Sequence, residues 1–83
     1  MASYIIASKY REKTLEYLNK KMGTPSLISD NTGIRRQHIS NTLVDLKEKG
    51  LVECLNEGVR KGKLYKITNK GKEALELAQE VLI

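Results

Sequence analysis

Three glycines divide the first half of the sequence into short helices, and this spacing constrains the fold more than any other feature. Gly23, Gly33 and Gly50 each follow a segment of helical periodicity, and Gly commonly stands where a helix ends. Thr24-Pro25 adds a start signal, because Thr caps exposed amides and Pro fits the first helical position. The predicted helices span residues 9–22, 25–31 and 35 or 36–49. Eighty-three residues cannot supply two stable cores, so these helices must belong to one domain.

The first predicted helix has one inward stripe. Its members share helical spacing, and they are Thr14, Leu15, Leu18 and Met22. Ser8 precedes the helix and can cap it.

The third predicted helix separates a buried face from an exposed one. Ile39, Leu43 and Leu46 recur at the i, i+4, i+7 spacing of a buried stripe. An advance of about 100° per residue then fixes the outward positions. These positions are Gln37, Asn41, Val44 and Glu48, flanked by His38, Ser40 and Asp45.

The second half of the sequence predicts a β-hairpin and one more helix. Residues 51–55 are typical of a strand, residues 56–62 of a turn, and residues 63–67 of a returning strand with Tyr65 and Ile67 on one face. Thr68 can cap a last helix that extends to about Leu82. The predicted fold class is therefore α+β and mainly α, with a three-helix core, a β-hairpin and a C-terminal helix.

Residues 24–52 resemble the helix-turn-helix core of winged-helix transcription regulators, and the resemblance continues through residues 51–68. The residues that carry it are Thr24, Ile28-Ser29, Thr32-Gly33-Ile34, Ile39-Ser40, Leu43, Leu46 and Gly50-Leu51-Val52. The segment LYKITNKG, from Leu64 to Gly71, looks like the strand-to-helix junction of MarR-like and ArsR-like regulators. The resemblance covers residues 9–77 and implies one winged-helix DNA-binding domain over residues 1–83, with its core and wing in 8–68 and a C-terminal helix in 69–83.

The sequence departs from this family pattern at two points. Leu27 stands where a capping box often has Glu, and the Cys-rich metal-sensing segment of ArsR-type metal repressors is absent. No subfamily is assigned.

The charge distribution favours a polyanionic partner. Fifteen Lys and Arg against ten Asp and Glu give a net charge of +5. From Gly58 to Lys72 the sequence has six basic residues and no acidic one. Arg60, Lys61 and Lys63 crowd the tip of the predicted hairpin, which the resemblance would carry to the minor groove or backbone of DNA. A solvated Lys-rich turn is the alternative, and Lys70 and Lys72 could simply offset the glutamates that follow them.

The N-terminal end of the third helix offers side chains that bond base edges. Arg pairs with guanine, and Gln and Asn pair with adenine. The predicted DNA-binding residues of this helix are Arg35, Arg36, Gln37, His38, Ser40 and Asn41. Arg35 could instead serve as a cap-region residue, and His38 could be an ordinary surface residue.

Other functional classes find little support in the sequence. It has no phosphate loop, no nucleophile with a base and no concentration of metal ligands, so neither enzymatic activity nor a cofactor or metal is expected. Cys54 is the only cysteine, so no internal disulfide can form, which suits a cytoplasmic location. Cys54 is expected to be a small core residue. No segment is long and apolar enough to approach a membrane span. A winged helix used as a protein-interaction or RNA-binding module remains the alternative.

The C-terminal helix is more apolar than one small core requires, so a homodimer is expected. Its apolar residues cover over half of its circumference, and the apolar Tyr4-Ile5-Ile6 segment could pack beside it. The predicted interface residues are Tyr4, Ile5, Ala74, Leu77, Ala78 and Val81.

Overall fold

The computed structural model describes residues 8–81, and the side chains of residues 8–80. Over this range the chain forms four helices and one two-stranded antiparallel hairpin. The elements are α1 (Lys9–Lys20), α2 (Pro25–Thr32), α3 (Arg36–Glu48), β1 (Val52–Cys54), β2 (Tyr65–Ile67) and α4 (Asn69–Val81). This mainly helical architecture confirms the predicted fold class. No helix in the described part of the chain is both long and apolar enough to cross a membrane.

The helix boundaries follow local capping chemistry. The Oγ of Ser8 accepts a hydrogen bond from the Arg11 amide at 3.4 Å, and Oγ1 of Thr24 accepts one from the Leu27 amide at 3.3 Å. Gly33 ends α2 with φ of 75°, a left-handed conformation that favours glycine.

The prediction that α1 continues to Met22 is wrong. The backbone becomes extended at Lys21, so α1 ends at Lys20. Met22 is 52% exposed and does not join the inward stripe, whereas Tyr17 is buried in the core.

One apolar core joins the helices to the hairpin. Its members share low exposure, and they are Leu15, Tyr17, Leu18, Ile28, Ile34, Ile39, Leu43, Leu46, Leu51, Val52, Tyr65, Ile67, Ala74, Leu75 and Ala78. Cys54 is half-buried and packs against this cluster, as expected of a small core residue.

The hairpin gains an additional backbone pairing, with the segment before α2, that the sequence pattern did not predict. Cα partners in the hairpin are Val52 with Ile67 and Cys54 with Tyr65. Gly23 pairs with the other edge of β2, where its amide donates to the Tyr65 carbonyl at 3.1 Å and its carbonyl accepts from the Tyr65 amide at 2.9 Å. The segment after α1 therefore fixes the hairpin against the helices.

The junction between β2 and α4 holds the C-terminal helix against the end of α3. Oγ1 of Thr68 donates to the Gly50 carbonyl at 2.7 Å and accepts from the Gly71 amide at 3.0 Å. A Cβ at Gly71 would clash with the Leu51 carbonyl oxygen, so this close approach requires glycine.

The predicted dimer interface requires a correction in α4. Ala74 and Ala78 are 3% and 0% exposed and belong to the core of their own chain, so they cannot line a seam with a second copy. Leu77, by contrast, is 52% exposed. Tyr4, Ile5 and the Val81 side chain lie outside the described residues.

Candidate nucleic-acid interface

The turn between α2 and α3 is fixed by side-chain hydrogen bonds. Oγ of Ser29 donates to the Ile34 carbonyl at 2.5 Å, and Oγ1 of Thr32 accepts from the Ile34 amide at 3.3 Å. The buried Ile34 side chain anchors the same turn in the core. The start of α3 is therefore held at a defined position relative to α2.

The outward surface of α3 agrees with the predicted periodicity. Ile39, Leu43 and Leu46 are fully buried, and Thr42 completes the inward face. We define the reading face as the exposed residues on the opposite side, which are Gln37, Asn41, Val44 and Glu48. Because the helix dipole places partial positive charge at the start of α3, anionic groups are favoured near Arg36 and Gln37.

An open cleft of about 500 Å³ lies between α3 and the hairpin turn. We call it the wing cleft. From α3 it is lined by Arg36, Ser40 and Val44, which follow one another at i, i+4 and i+8. Across from them lies the basic tip, which we define as Arg60, Lys61 and Lys63. Residues remote in sequence thus form one surface.

The start of α2 also lines the wing cleft. Thr24, Pro25 and Ser26 contribute to it, as does Tyr65 from β2. None of these four was predicted as a site residue. The cap signal at Thr24 was visible in the sequence, but its position near the basic tip depends on the pairing of Gly23 with β2.

Asn56 organises the hairpin turn that carries the basic tip. Its Oδ1 accepts from the Leu64 amide at 2.7 Å, and its Nδ2 donates to the Gly62 carbonyl at 3.2 Å. The Cys54 thiol also donates to Oδ1, at 3.7 Å. One side chain therefore bridges both ends of the turn, and this role was not predicted from the sequence.

The charges near the wing cleft divide into paired and unpaired groups. Glu57 forms an ion pair with Lys47 of α3, and Glu53 pairs across the hairpin with Lys66 at 3.2 Å. Within residues 8–80, no acidic side chain pairs with Arg36 or with the three cations of the basic tip. Their positive potential is therefore available to an anionic ligand.

The remaining predicted residues lie at the edges of this surface. Arg35 is exposed and precedes α3 with no side-chain cap hydrogen bond, and it does not line the wing cleft. His38 lies on the other side of the reading face, where its ring stacks on Tyr10 of α1 with centroids 5.0 Å apart. A single sequence could not reveal this contact, because it joins two helices.

The phenol of Tyr65 lies in the wall of the wing cleft. Burial raises its pKa above the ordinary value of 10.0, and the neighbouring Cys54 raises it further through charge interaction. Its phenol therefore stays neutral at physiological pH and acts as part of the cleft wall.

Solved structures of transcription regulators have the same fold. The transcriptional repressor CouR bound to a 23-mer DNA duplex matches with a TM-score of 0.79 and 21% identity, covering 98% of this chain and 61% of that chain. A MarR family transcription regulator matches at 0.72 and 24%, covering 90% and 55%. The homodimeric winged helix-turn-helix DNA-binding domain of a possible ArsR-family regulator from Mycobacterium bovis matches at 0.71 and 25%, covering 98% and 71%.

These matches confirm the winged-helix fold that the sequence resembles. The chain spans only 55% and 61% of the MarR family regulator and CouR, respectively. No family model matches the sequence, and no curated protein matches it.

Proposed function

We propose that this protein binds double-stranded DNA sequence-specifically and regulates transcription as a homodimer. In this proposal, α3 lies in the major groove and the basic tip contacts the adjacent minor groove or backbone. The observation that carries the proposal is the wing cleft, which joins Arg36 and Ser40 of α3 to cations of the hairpin turn that have no acidic partner among residues 8–80. A duplex backbone carries the negative charge that such a cationic surface would bind.

The two sides of the surface would have different tasks. Gln37 and Asn41 on the reading face would form hydrogen bonds with base edges, since their amides suit adenine, while Arg36 would bind guanine or a phosphate. The basic tip would bind phosphates, which adds affinity without discriminating between sequences. Arg35 is proposed to contact a phosphate beside the start of α3.

His38 has a more limited part in this proposal. Its ring stacks on Tyr10, which gives it a structural contact. From its place beside the reading face, its edge would lie close to the wall of the groove. We assign it to the DNA backbone rather than to base reading.

A homodimer is supported by the exposed side of α4. Leu77 is a large apolar side chain that the chain's own core does not cover. We propose that it packs against a second copy around a two-fold axis, together with the predicted Val81, Tyr4 and Ile5. The similarity to a homodimeric winged-helix domain supports the same assembly. Such a regulator would act in the cytoplasm, as a binding protein rather than an enzyme.

A protein-interaction or RNA-binding module is the second candidate. Leu27 and Val44 favour it, because both are exposed apolar side chains near the helix-turn-helix. The polar side chains Gln37, Ser40 and Asn41 argue against it. They can form hydrogen bonds with base edges, whereas an apolar partner surface would offer them no hydrogen-bond partner.

Selection of binding sites from random duplexes tests the proposed function. We expect enrichment of a pseudo-palindrome whose half-sites are about 10 base pairs, or a multiple, apart, because a two-fold dimer presents two copies of α3 to successive major grooves. Enrichment of no sequence would contradict sequence-specific recognition, and tighter binding to RNA than to duplex DNA would favour the second candidate.

A further inference from the structure

Val44 is an apolar side chain on a polar surface, and folding does not explain it. It is 53% exposed, while Ile39, Leu43 and Leu46 are already fully buried on the inward face of α3. A β-branched residue also lowers helix propensity slightly, so an exposed Val contributes little to helix stability.

We propose that Val44 is a specificity-determining residue that contacts the 5-methyl group of a thymine in the major groove. The inference rests on the proposed function and extends it to one base. Thymine alone among the four DNA bases presents a methyl group in the major groove, and apolar side chains recognise it by direct contact. Val44 is suited to this contact because it lies on the reading face and also lines the wing cleft beside Ser40.

The surroundings of Val44 favour one methyl group over an apolar protein surface. Its neighbours one helical turn away are Ser40, Asn41, Lys47 and Glu48, all polar. Leu27, the exposed apolar residue of α2, does not line the cleft that Val44 lines. A protein-docking patch requires contiguous apolar area, which an isolated Val does not supply.

The geometry of α3 also places the thymine relative to the base that Asn41 reads. With a rise of about 1.5 Å per residue, Asn41 and Val44 are separated by about 4.5 Å along the helix axis. Base pairs are stacked about 3.4 Å apart, so the thymine lies within one or two positions of the base contacted by Asn41.

Replacement of thymine by deoxyuracil tests this contact, because it removes the methyl group and leaves base pairing intact. The full chain would be titrated by fluorescence anisotropy against a selected duplex and against duplexes with each thymine replaced in turn. For the wild type we expect one replacement per half-site to weaken binding about fourfold, the effect of one buried methyl group at about 0.8 kcal/mol. Val44→Ala should bind the thymine and uracil duplexes at that position almost equally.

Val59→Ala is the matched control, since Val59 is 41% exposed but lies in the hairpin turn. It should keep the wild-type preference for thymine, because the minor groove presents no methyl group. The inference is overturned if no thymine replacement weakens the wild type, or if Val44→Ala keeps the wild-type ratio. If selection enriches no duplex at all, the proposed function fails and this inference fails with it.

Discussion

Asn56→Ala should release the basic tip while leaving the reading face of α3 intact. The substitution removes the acceptor of the Leu64 amide at 2.7 Å and the donor to the Gly62 carbonyl at 3.2 Å. At a net value of about 0.5–1.5 kcal/mol per hydrogen bond, the closed turn loses about 1–3 kcal/mol. Gly62 has a φ of 70°, which glycine adopts without strain, so the loss comes from the side-chain bridge across the turn.

The binding consequence follows from the proposed role of the tip. If the turn must be ordered again when DNA binds, that cost of about 1–3 kcal/mol lowers affinity roughly 5- to 160-fold. The loss should be similar on a selected operator and on an unrelated duplex, because phosphate contacts do not distinguish sequences. Fluorescence anisotropy at fixed salt measures both affinities, and thermal unfolding measures the change in stability.

Asn19→Ala is the control for this substitution. Asn19 is exposed on α1 and its side chain forms no hydrogen bond with the residues described, so its replacement should alter neither binding nor stability by much. Wild-type affinity in Asn56→Ala would refute the positioning role. A loss confined to the operator would refute the assignment of the tip to the backbone.

Three further predictions concern the duplex, the dimer and the core. If each protomer neutralises ~3 to 5 phosphates, the dimer's affinity should fall with salt at a log-log slope of about −5 to −9, and a slope near zero would contradict binding through the basic surface. The double variant Leu77→Glu and Val81→Glu should sediment as a monomer and bind operator weakly, so a dimeric double variant would exclude this interface. Gly71→Ala should lower the free energy of unfolding by about 1–3 kcal/mol or more, because the Leu51 carbonyl blocks its Cβ, whereas Gly58→Ala, which has open space, should not.

Periodicity and turn chemistry predicted the elements that depend on local signals. Caps at Ser8 and Thr24 and the glycine at position 33 act within a few residues, so their signals are complete in the sequence. The i, i+4, i+7 pattern of α3 identified the buried face for the same reason. These elements were sufficient to predict the fold class and the exposed positions of α3.

Features that depend on contacts between distant segments were not predicted. The extended backbone at Lys21 that ends α1 leads to the pairing of Gly23 with Tyr65, 42 positions later in the sequence. The roles of Ala74 and Ala78 were misassigned, because the helical pattern of α4 is equally compatible with packing on its own core or on a second copy. The stacking of His38 on Tyr10 also required the arrangement of two helices.

One comparison of two variants separates base reading by α3 from backbone contact by the basic tip. Asn41→Ala and Lys61→Ala would each be titrated against the selected operator and against an unrelated duplex. We expect Asn41→Ala to lose about 1–3 kcal/mol on the operator alone, the value of a bidentate base contact. Lys61→Ala should weaken binding to both duplexes by similar factors. Equal losses on both duplexes for Asn41→Ala would contradict the assignment of base reading to α3.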